Sequence, residues 1–300
     1  MKIAYAFLVA LNLLIFCHLA TAQAPFVDGV DLTTTKAPWT MRIVGNDLDI
    51  TKAQAKPDSA SAYFMITSDS SKLDVSVFIE PIDKCKSGEE CRDYVLALGN
   101  PSWGKFEQLE KGKLKDFSYF QFYRPEVQNR PLKMLDMYAE FVSQGYWVDL
   151  HISKVLYTPA DHALFEKVID SIAFVAKSGA PQNDFDRQLV SGRSTAQSWL
   201  DLWDASKCKE SYSKLSELTK VDNTESSWIE YCEKVNKTIG PRKRELVASA
   251  FTGSLSGKTD RPVAILAYHS SSGFRESFIE IVALIREKDG GWTITNYLPQ

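Results

Sequence analysis

Alternation of apolar and polar side chains constrains the fold of this chain more than any other feature. In the stretch 72–80, Leu73, Val75, Val77 and Ile79 occupy every second position. Successive side chains of a β-strand point to opposite faces, so this pattern predicts a strand with one buried face. Residues 39–50 predict a short hairpin around Gly45-Asn46, and residues 61–67 predict another strand. Stretches rich in Phe, Tyr and Val predict further strands at 103–111, 113–123, 133–143 and 146–155.

Helices are predicted at 89–98 and 159–172, where apolar residues recur at helical spacing. A strand ending in Asp149-Leu150-His151-Ile152-Ser153, followed by a helix closing with Phe165-Glu166-Lys167-Val168-Ile169-Asp170-Ser171-Ile172-Ala173-Phe174, resembles the Mog1/PsbP-like domain. The resemblance covers 39–175. It implies an antiparallel sheet with packed helices, serving for binding or assembly more often than for catalysis, and it transfers no catalytic residues.

Small, polar and turn-forming residues fill the stretch 176–187, which predicts a linker. After it, helices are predicted at 188–205, 207–218 and 226–237. Four strands follow, at 244–255, 263–271, 274–288 and 292–297. Asp289-Gly290-Gly291 is a strong hairpin signal between the last two.

The amino-acid sequence of the C-terminal part resembles the DUF4019 family over residues 190–299. The matching pieces are Ala196-Gln197-Ser198-Trp199-Leu200, Gly240-Pro241-Arg242-Lys243-Arg244, Glu280-Ile281-Val282-Ala283-Leu284 and the closing stretch 289–297. That family has no known function. Three helices followed by a curled four-stranded sheet is similar to the NTF2-like cone, so the expected fold is α+β in two domains.

The N-terminus predicts export. One positive charge at Lys2 precedes the apolar stretch 3–16, and Ala20-Thr21-Ala22 offers the small residues that signal peptidase accepts. We therefore expect a signal peptide at 1–22, cleaved after Ala22, and a periplasmic or secreted protein. A retained N-terminal anchor is the alternative. The expected division is then 23–175, the linker 176–187, and 188–300, with no membrane span after cleavage.

Signal removal leaves four cysteines, and an even number in an exported chain predicts disulfides. Three pairings are possible, and the domain division favours Cys85–Cys91 and Cys208–Cys232. Metal binding and thiol redox chemistry are the alternatives. Neither is expected, because the chain has no Cys-x-x-Cys and no histidine near either pair in sequence.

The charge balance argues against a nucleic-acid partner. The formal net charge is -3, whereas proteins that neutralise phosphates carry an excess of Lys and Arg. Hydrophobic residues at 44% and charged residues at 24% exclude a disordered chain and a polytopic membrane protein. The one dense basic run, Arg242-Lys243-Arg244, fits either a solvated turn or contact with an acidic partner.

Two small sets of side chains are candidates for function. Trp147, Asp149 and His151 share one face of a strand, where a carboxylate beside an imidazole could orient a base or bind a ligand. A polar, solvent-facing strand edge is the alternative. In the C-terminal part, His269 with Glu280 is the candidate catalytic pair, and a packed or edge histidine is the alternative.

Standard catalytic, phosphate-binding and calcium-binding motifs do not occur, and no cofactor is predicted. The sequence therefore favours an exported, non-catalytic module that binds a partner protein or a small molecule. A small-molecule hydrolase or isomerase using a pocket in the C-terminal cone is the alternative.

Overall fold

Two antiparallel sheets of seven strands dominate the computed structural model. It describes residues 29–45, 47–56, 60–99, 103–126, 130–177, 184–253 and 259–300. The expected signal peptide at 1–22 lies outside these residues, as do residues 178–183 of the expected linker, whereas residues 184–187 belong to the helix Asp184–Asp204.

Sheet A combines strands from both ends of the chain. Its order is β10 (Ile172–Ala176), β2 (Trp39–Val44), β1 (Gly29–Thr34), β11 (Arg242–Thr252), β12 (Val263–Ser272), β13 (Phe278–Arg286) and β14 (Trp292–Pro299). Strand β1 pairs with β11, so that Val30 lies opposite Thr252 and Thr34 opposite Ala248. This pairing makes one sheet of two distant parts of the sequence.

Sheet B is built from the N-terminal part alone. Its order is β3 (Leu48–Ala55), β4 (Ala62–Ser68), β5 (Leu73–Pro81), β9 (Tyr146–Lys154), β8 (Met134–Ser143), β7 (Phe117–Arg124) and β6 (Glu107–Leu114). The alternation in β5 is confirmed, since all four of its apolar side chains are buried. The predicted hairpin at 39–50 is wrong, because β2 belongs to sheet A and β3 to sheet B.

Six α-helices complete the described chain: α1 (Gly88–Leu98), α2 (His162–Ser171), α3 (Asp184–Asp204), α4 (Cys208–Ser213), α5 (Glu217–Asp222) and α6 (Glu225–Ile239). Helix α1 packs on sheet B at β7 and β8. Ser87 caps its N-terminus by accepting a hydrogen bond from the amide of Glu90, which fixes where α1 begins. No helix of the described segments has the length and apolar character needed to cross a membrane.

Two hydrophobic cores hold the layers together. One lies between the sheets and contains residues from both parts of the chain, among them Leu32, Val77, Leu150 and Ala250. The other packs α3, α4 and α6 on the opposite face of sheet A, around Trp199, Trp203, Trp228, Leu266 and Tyr297. Sheet A is therefore buried between sheet B and the C-terminal helices.

The expected C-terminal fold, a three-helix and four-strand NTF2-like cone, is wrong. The four strands occur near their predicted positions. However, β11 pairs with β1, so β1, β2 and β10 extend the sheet and β11 is not the edge of a separate curled sheet. The described part of the C-terminal segment also has four helices, because the predicted helix at 207–218 ends early, as α4, and a further short helix, α5, follows it. The boundary near residue 180 stays a prediction, although sheet A draws strands from both sides of it.

Both favoured disulfides are present. Cys85–Cys91 ties the loop before α1 to the helix itself, with 5.0 Å between Cα atoms. Cys208–Cys232 joins α4 to α6, with a Cα separation of 5.8 Å. Each bond closes a local loop, as the sequence predicts for a chain that folds in an oxidising compartment.

Candidate functional site

The β8–β9 hairpin positions the side chains of the candidate binding face. Its turn residues Gln144 and Gly145 both have positive φ, 51° and 81°, as in the two-residue turns whose twist matches that of the flanking strands. The turn sets the register, so that Glu140 lies opposite Asp149 and Tyr138 opposite His151. All four side chains therefore belong to the face of sheet B that points away from sheet A.

This face carries a cleft of about 410 Å³, which we call the outer cleft. Trp147, Asp149 and His151, the three predicted binding residues, all line it. Helix α1 supplies one wall, and Trp103 closes one end. The remaining lining residues come from β4, β5, β8, α1 and the loops at either end of α1: Tyr63, Ser76, Phe78, Glu80, Lys84, Tyr94, Val95, Leu98, Gly99 and Tyr138.

Asp149 has an exceptional environment within the outer cleft. Its Oδ1 atom is buried and has no hydrogen-bond partner in the described chain. Burial raises the pKa of this carboxyl to about 6, against the lowering effect of His151 and with a further contribution from Glu80. A buried acceptor is costly unless another donor replaces the water that it loses on folding.

Glu140 lies directly behind Asp149 on the next strand and is fully buried. Its Oε2 accepts a hydrogen bond of 2.6 Å from Trp147 Nε1, while Oε1 has no partner among the described residues. Burial, followed by the charge of Asp149, raises the pKa of Glu140 well above its ordinary value. Two neighbouring carboxyls are thus held where their ionisation is unfavourable.

His151 is oriented by a residue that the sequence reasoning missed. Its Nε2 lies 2.8 Å from Asp136 Oδ1, and Asp136 Oδ2 accepts a 2.6 Å hydrogen bond from Arg124 Nε. The imidazole stacks on the ring of Tyr138, with centroids 4.2 Å apart and planes 8° from parallel. The carboxylate that holds His151 is therefore Asp136 and not Asp149, which stays available to the cleft.

The hydroxyl of the residue opposite His151 on β5 already has a hydrogen-bond partner. Ser76 lies opposite His151 in the β5–β9 register, and its Oγ lies 3.2 Å from the hydroxyl of Tyr63. An activated serine needs its hydrogen bond to the histidine. Among the described residues Ser76 bonds to Tyr63 and forms no hydrogen bond to His151.

Aromatic rings form most of the apolar wall. Trp103 donates a 2.8 Å hydrogen bond from Nε1 to the hydroxyl of Tyr138, and Tyr94 meets Trp147 edge to face at 6.2 Å. Burial raises the pKa of Tyr138, which therefore stays a neutral phenol. These contacts make the wall rigid, because each ring is held by a neighbour as well as by its own strand or loop.

The missed residues, Asp136, Tyr138, Glu140 and Trp103, had a partial signal. A two-residue turn at Gln144-Gly145 dictates which residues of β8 oppose those of β9, so the first three could have been assigned to the same face as His151. Trp103 had none, because it reaches the cleft from outside the regular strands of sheet B.

The structure does not bring His269 and Glu280 together. In the β12–β13 register His269 lies opposite Ile279, whereas Glu280 lies opposite Tyr268, so the two side chains are on opposite faces of sheet A. His269 Nε2 lies 3.1 Å from Ser277 Oγ at an exposed position. A catalytic role for the pair would require a shared pocket, which this geometry does not provide.

Glu280 is instead the centre of a buried polar network. Arg244 donates to both of its carboxylate oxygens, at 2.6 Å from Nε and 3.1 Å from Nη2, and the hydroxyls of Ser270 and Tyr297 also donate to it. Burial and the charge of Glu280 raise the pKa of Tyr297. Every observed partner satisfies the carboxylate, which indicates a structural role.

The basic run 242–244 contributes to the same network. The side chain of Arg242 is 0% exposed and that of Arg244 is 7% exposed. Both arginines pair with Asp204 at the C-terminal end of α3, with Arg242 Nη1 and Arg244 Nη2 at 2.6 Å and 2.8 Å from Oδ1. The two arginines are thus neither a solvated turn nor open to an acidic partner. No group of three or more His, Cys, Asp or Glu in the described part could hold a metal ion.

Together these features define an α+β protein of two stacked sheets with a ligand-sized cleft on one outer face. Residues 195–297 match the family described as "Protein of unknown function (DUF4019)", which confirms the C-terminal resemblance. The matched segment contains the Glu280 network, while the outer cleft lies entirely before it. No curated protein sequence matches the chain significantly.

Two solved structures illustrate the similarity. The cyanobacterial PsbP (CyanoP) of Synechocystis sp. PCC 6803 is 13% identical, with 52% of this chain and 98% of that chain covered and a TM-score of 0.35. A protein of Bacteroides thetaiotaomicron VPI-5482 is 11% identical, with 79% and 84% covered and a TM-score of 0.34. At these values neither structure assigns a function to this chain.

Proposed function

We propose that this protein is an exported, non-catalytic binding module whose ligand occupies the outer cleft. One observation carries the proposal: Trp147, Asp149 and His151 converge in a cleft where Asp149 Oδ1 is buried without a hydrogen-bond partner. A cleft of about 410 Å³ is within the range that holds small molecules or a single side chain of a partner protein. The two disulfides fit an exported protein.

The energetics of Asp149 favour a binding role. Leaving a buried acceptor unsatisfied costs roughly 1–3 kcal/mol, more when the group is charged. A ligand that donates a hydrogen bond to Oδ1 would recover this free energy on binding. Carboxyl groups whose pKa is raised by burial in a cleft are common at functional sites, which supports the outer cleft as the ligand site.

Binding fits the surroundings of His151 better than catalysis does. Asp136 and Tyr138 hold the imidazole in one orientation, and Ser76 is hydrogen-bonded to Tyr63. The aromatic wall is likewise fixed by ring contacts. A rigid wall with few polar groups favours recognition, since little conformational entropy is lost when a ligand enters.

A cleft-filling variant tests the proposal. The probe is 2-phenylethanol, titrated into the ¹⁵N-labelled full chain while the indole N–H signals of Trp103 and Trp147 are followed by NMR. We expect concentration-dependent shifts of these two signals in the native protein. Ser76→Phe, which places a ring in the outer cleft, should abolish them.

Asp74→Phe is the matched control, because Asp74 is exposed on the same face of β5 but does not line the cleft. This variant should bind the probe as the native protein does. Shifts that persist in Ser76→Phe, or that appear at other tryptophans only, would contradict the proposal.

A further inference from the structure

We infer that the outer cleft selects an organic cation, a ligand with an ammonium group on an apolar body, such as an aliphatic or aromatic amine or a lysine side chain. This inference rests on the proposed function and adds the chemical class of the ligand. Its basis is the coincidence of unpartnered carboxylate oxygens with a wall of aromatic rings.

The charged groups around the cleft are mainly acidic. Glu80 and Asp149 line it, and Glu140 lies directly behind Asp149 with Oε1 unpartnered and buried. Lys84 is the one lysine or arginine in the lining, and it is exposed to solvent, which screens its charge. Glu80 pairs with Lys56 at 3.6 Å, so the carboxylate of Asp149 is the main source of repulsion for an anionic ligand.

The aromatic wall suits a cation as well. Phe78, Tyr94, Trp103, Tyr138 and Trp147 all border the same space. The faces of aromatic rings carry partial negative charge and attract ammonium groups, most strongly where water is excluded. An apolar body attached to the ammonium would fill the remaining volume against these rings.

A neutral ligand would bind in the outer cleft less tightly than a cation. It would leave the charge of Asp149 without a counter-ion, so the free-energy cost of burying that charge would remain. A cation neutralises the charge and occupies the Oδ1 atom at the same time. A metal ion is disfavoured, because the described residues offer no cluster of three ligands.

Three probes of similar shape and different charge test the inference. They are 2-phenylethylammonium, 2-phenylethanol and 3-phenylpropanoate, titrated into the native full chain at neutral pH and low salt, with dissociation constants from the Trp103 and Trp147 indole signals. We expect the ammonium to bind at least about ten-fold more tightly than the alcohol. The carboxylate should bind most weakly.

Asp149→Asn separates charge from shape, because asparagine has nearly the same volume. In this variant the ammonium should bind within about two-fold of the alcohol. Asp74→Asn removes a carboxylate from the same sheet face outside the cleft and should keep the native preference. A native ¹⁵N spectrum confirms that each variant is folded.

The outcomes distinguish the two proposals. Equal binding of the ammonium and the alcohol to the native protein would overturn the cation preference and leave the outer cleft as a binding site. A preference that survives in Asp149→Asn would also overturn it, since the charge would then come from elsewhere. Failure of all three probes to bind would remove the binding site and the cation preference together.

Discussion

Asp149 and Glu140 are two neighbouring carboxyls whose burial reduces the stability of the fold. Both carboxyls are buried on adjacent strands, and each has one oxygen without a partner in the described chain. Their raised pKa values follow from burial first and from mutual proximity second in the case of Glu140. The folded state therefore holds protons more tightly than the unfolded state, and its stability falls as pH rises through these pKa values.

Asp149→Asn should consequently stabilise the free protein. The folded pKa of about 6 exceeds the ordinary 3.8, so the cost of the ionised carboxylate is fully present above about pH 7 and disappears below about pH 4. We expect the variant to gain on the order of 2 kcal/mol at pH 7.5 and little at pH 4. Urea unfolding at the two pH values measures the difference.

Asp161→Asn is a control of opposite sign. Hydrogen bonds from the backbone and side chain of Thr158 lower the pKa of Asp161, so its carboxylate stabilises the fold above its ordinary pKa. This variant should lose stability at pH 7.5. If Asp149→Asn were less stable than the native protein at that pH, this would contradict the conclusion that the ionised carboxylate of Asp149 destabilises the fold.

Glu280 illustrates the opposite case of a buried carboxylate with all its partners. Glu280→Gln should destabilise the protein by about 3 kcal/mol, because Arg244 stays buried with less compensation. Glu287→Gln breaks the Arg261 pair, in which both side chains are partly exposed, and should cost less than about 1 kcal/mol. Denaturant unfolding compares them, and equal losses would argue against the importance of burial.

Among the elements, α1 connects stability to the outer cleft. Cys91 of this helix and Cys85 before it pack together with Trp147 in one small cluster. The disulfide thus packs against Trp147, which lines the cleft, and ties down the start of the helix that forms one wall. Cys208–Cys232 lies among the helices on sheet A and borders no part of the cleft.

Removing each disulfide should therefore have a different effect. Cys208→Ser with Cys232→Ser opens a loop of sequence separation 24 and should cost about 3 kcal/mol, while Cys85→Ser with Cys91→Ser opens one of 6 and should cost about 2 kcal/mol. Only the second pair should weaken binding of 2-phenylethylammonium. Thermal unfolding measures the loss of stability, and the NMR titration measures the loss of binding. Equal loss of binding in both variants would contradict the conclusion that only Cys85–Cys91 supports the outer cleft.

The elements themselves were largely predictable, whereas their partners were not. The alternation that predicts β5 is a local signal and is confirmed. The turn at Gln144-Gly145 is also a local feature, and it joins β8 to β9. No local sequence pattern predicts the pairing of β1 with β11. Strands pair through backbone N–H and C=O groups, which nearly all residue types share, so the sequence of one strand does not identify its partner. The sequence around Gly45 also predicts a hairpin, because a local turn pattern does not show which strand each flanking segment will pair with. In the structure, β2 before it and β3 after it belong to different sheets.

The same limit applies to the candidate sites. Trp147, Asp149 and His151 could be placed on one face from the period of a strand, and the structure adds that this face is a cleft. His269 and Glu280 lie on different strands, so only the register, which places Glu280 opposite Tyr268, could show that they diverge. Burial of Asp149 Oδ1 depends on the tertiary packing around β9, which no local pattern describes.

At the scale of the whole molecule, the core between the sheets joins the two parts of the chain. Val30 and Leu32 of β1 lie in it with Val247 and Ala250 of β11. Side chains that share one core lose their packing together, so the parts should unfold together. This expectation concerns cooperativity and can be tested from either part of the chain.

Leu32→Ala tests this cooperativity, because Leu32 is fully buried in the shared core. The truncation should cost roughly 2–5 kcal/mol and accelerate amide hydrogen exchange in β12 as much as in β5. Calorimetry should show a single transition at a lower temperature. Unchanged exchange in β12 would mean that the C-terminal part is stable by itself.

The position of β1 also sets an order of events during synthesis. Sheet B is complete once residue 154 has emerged, but β1 receives its second neighbour only when β11, ending at Thr252, is available. Until then the edge of a three-stranded sheet, with Val30 and Leu32 beside it, has unpaired backbone groups that can pair with another chain. A nascent or truncated chain that stops before β11 therefore carries an adhesive edge, which the finished protein closes with its own C-terminal part.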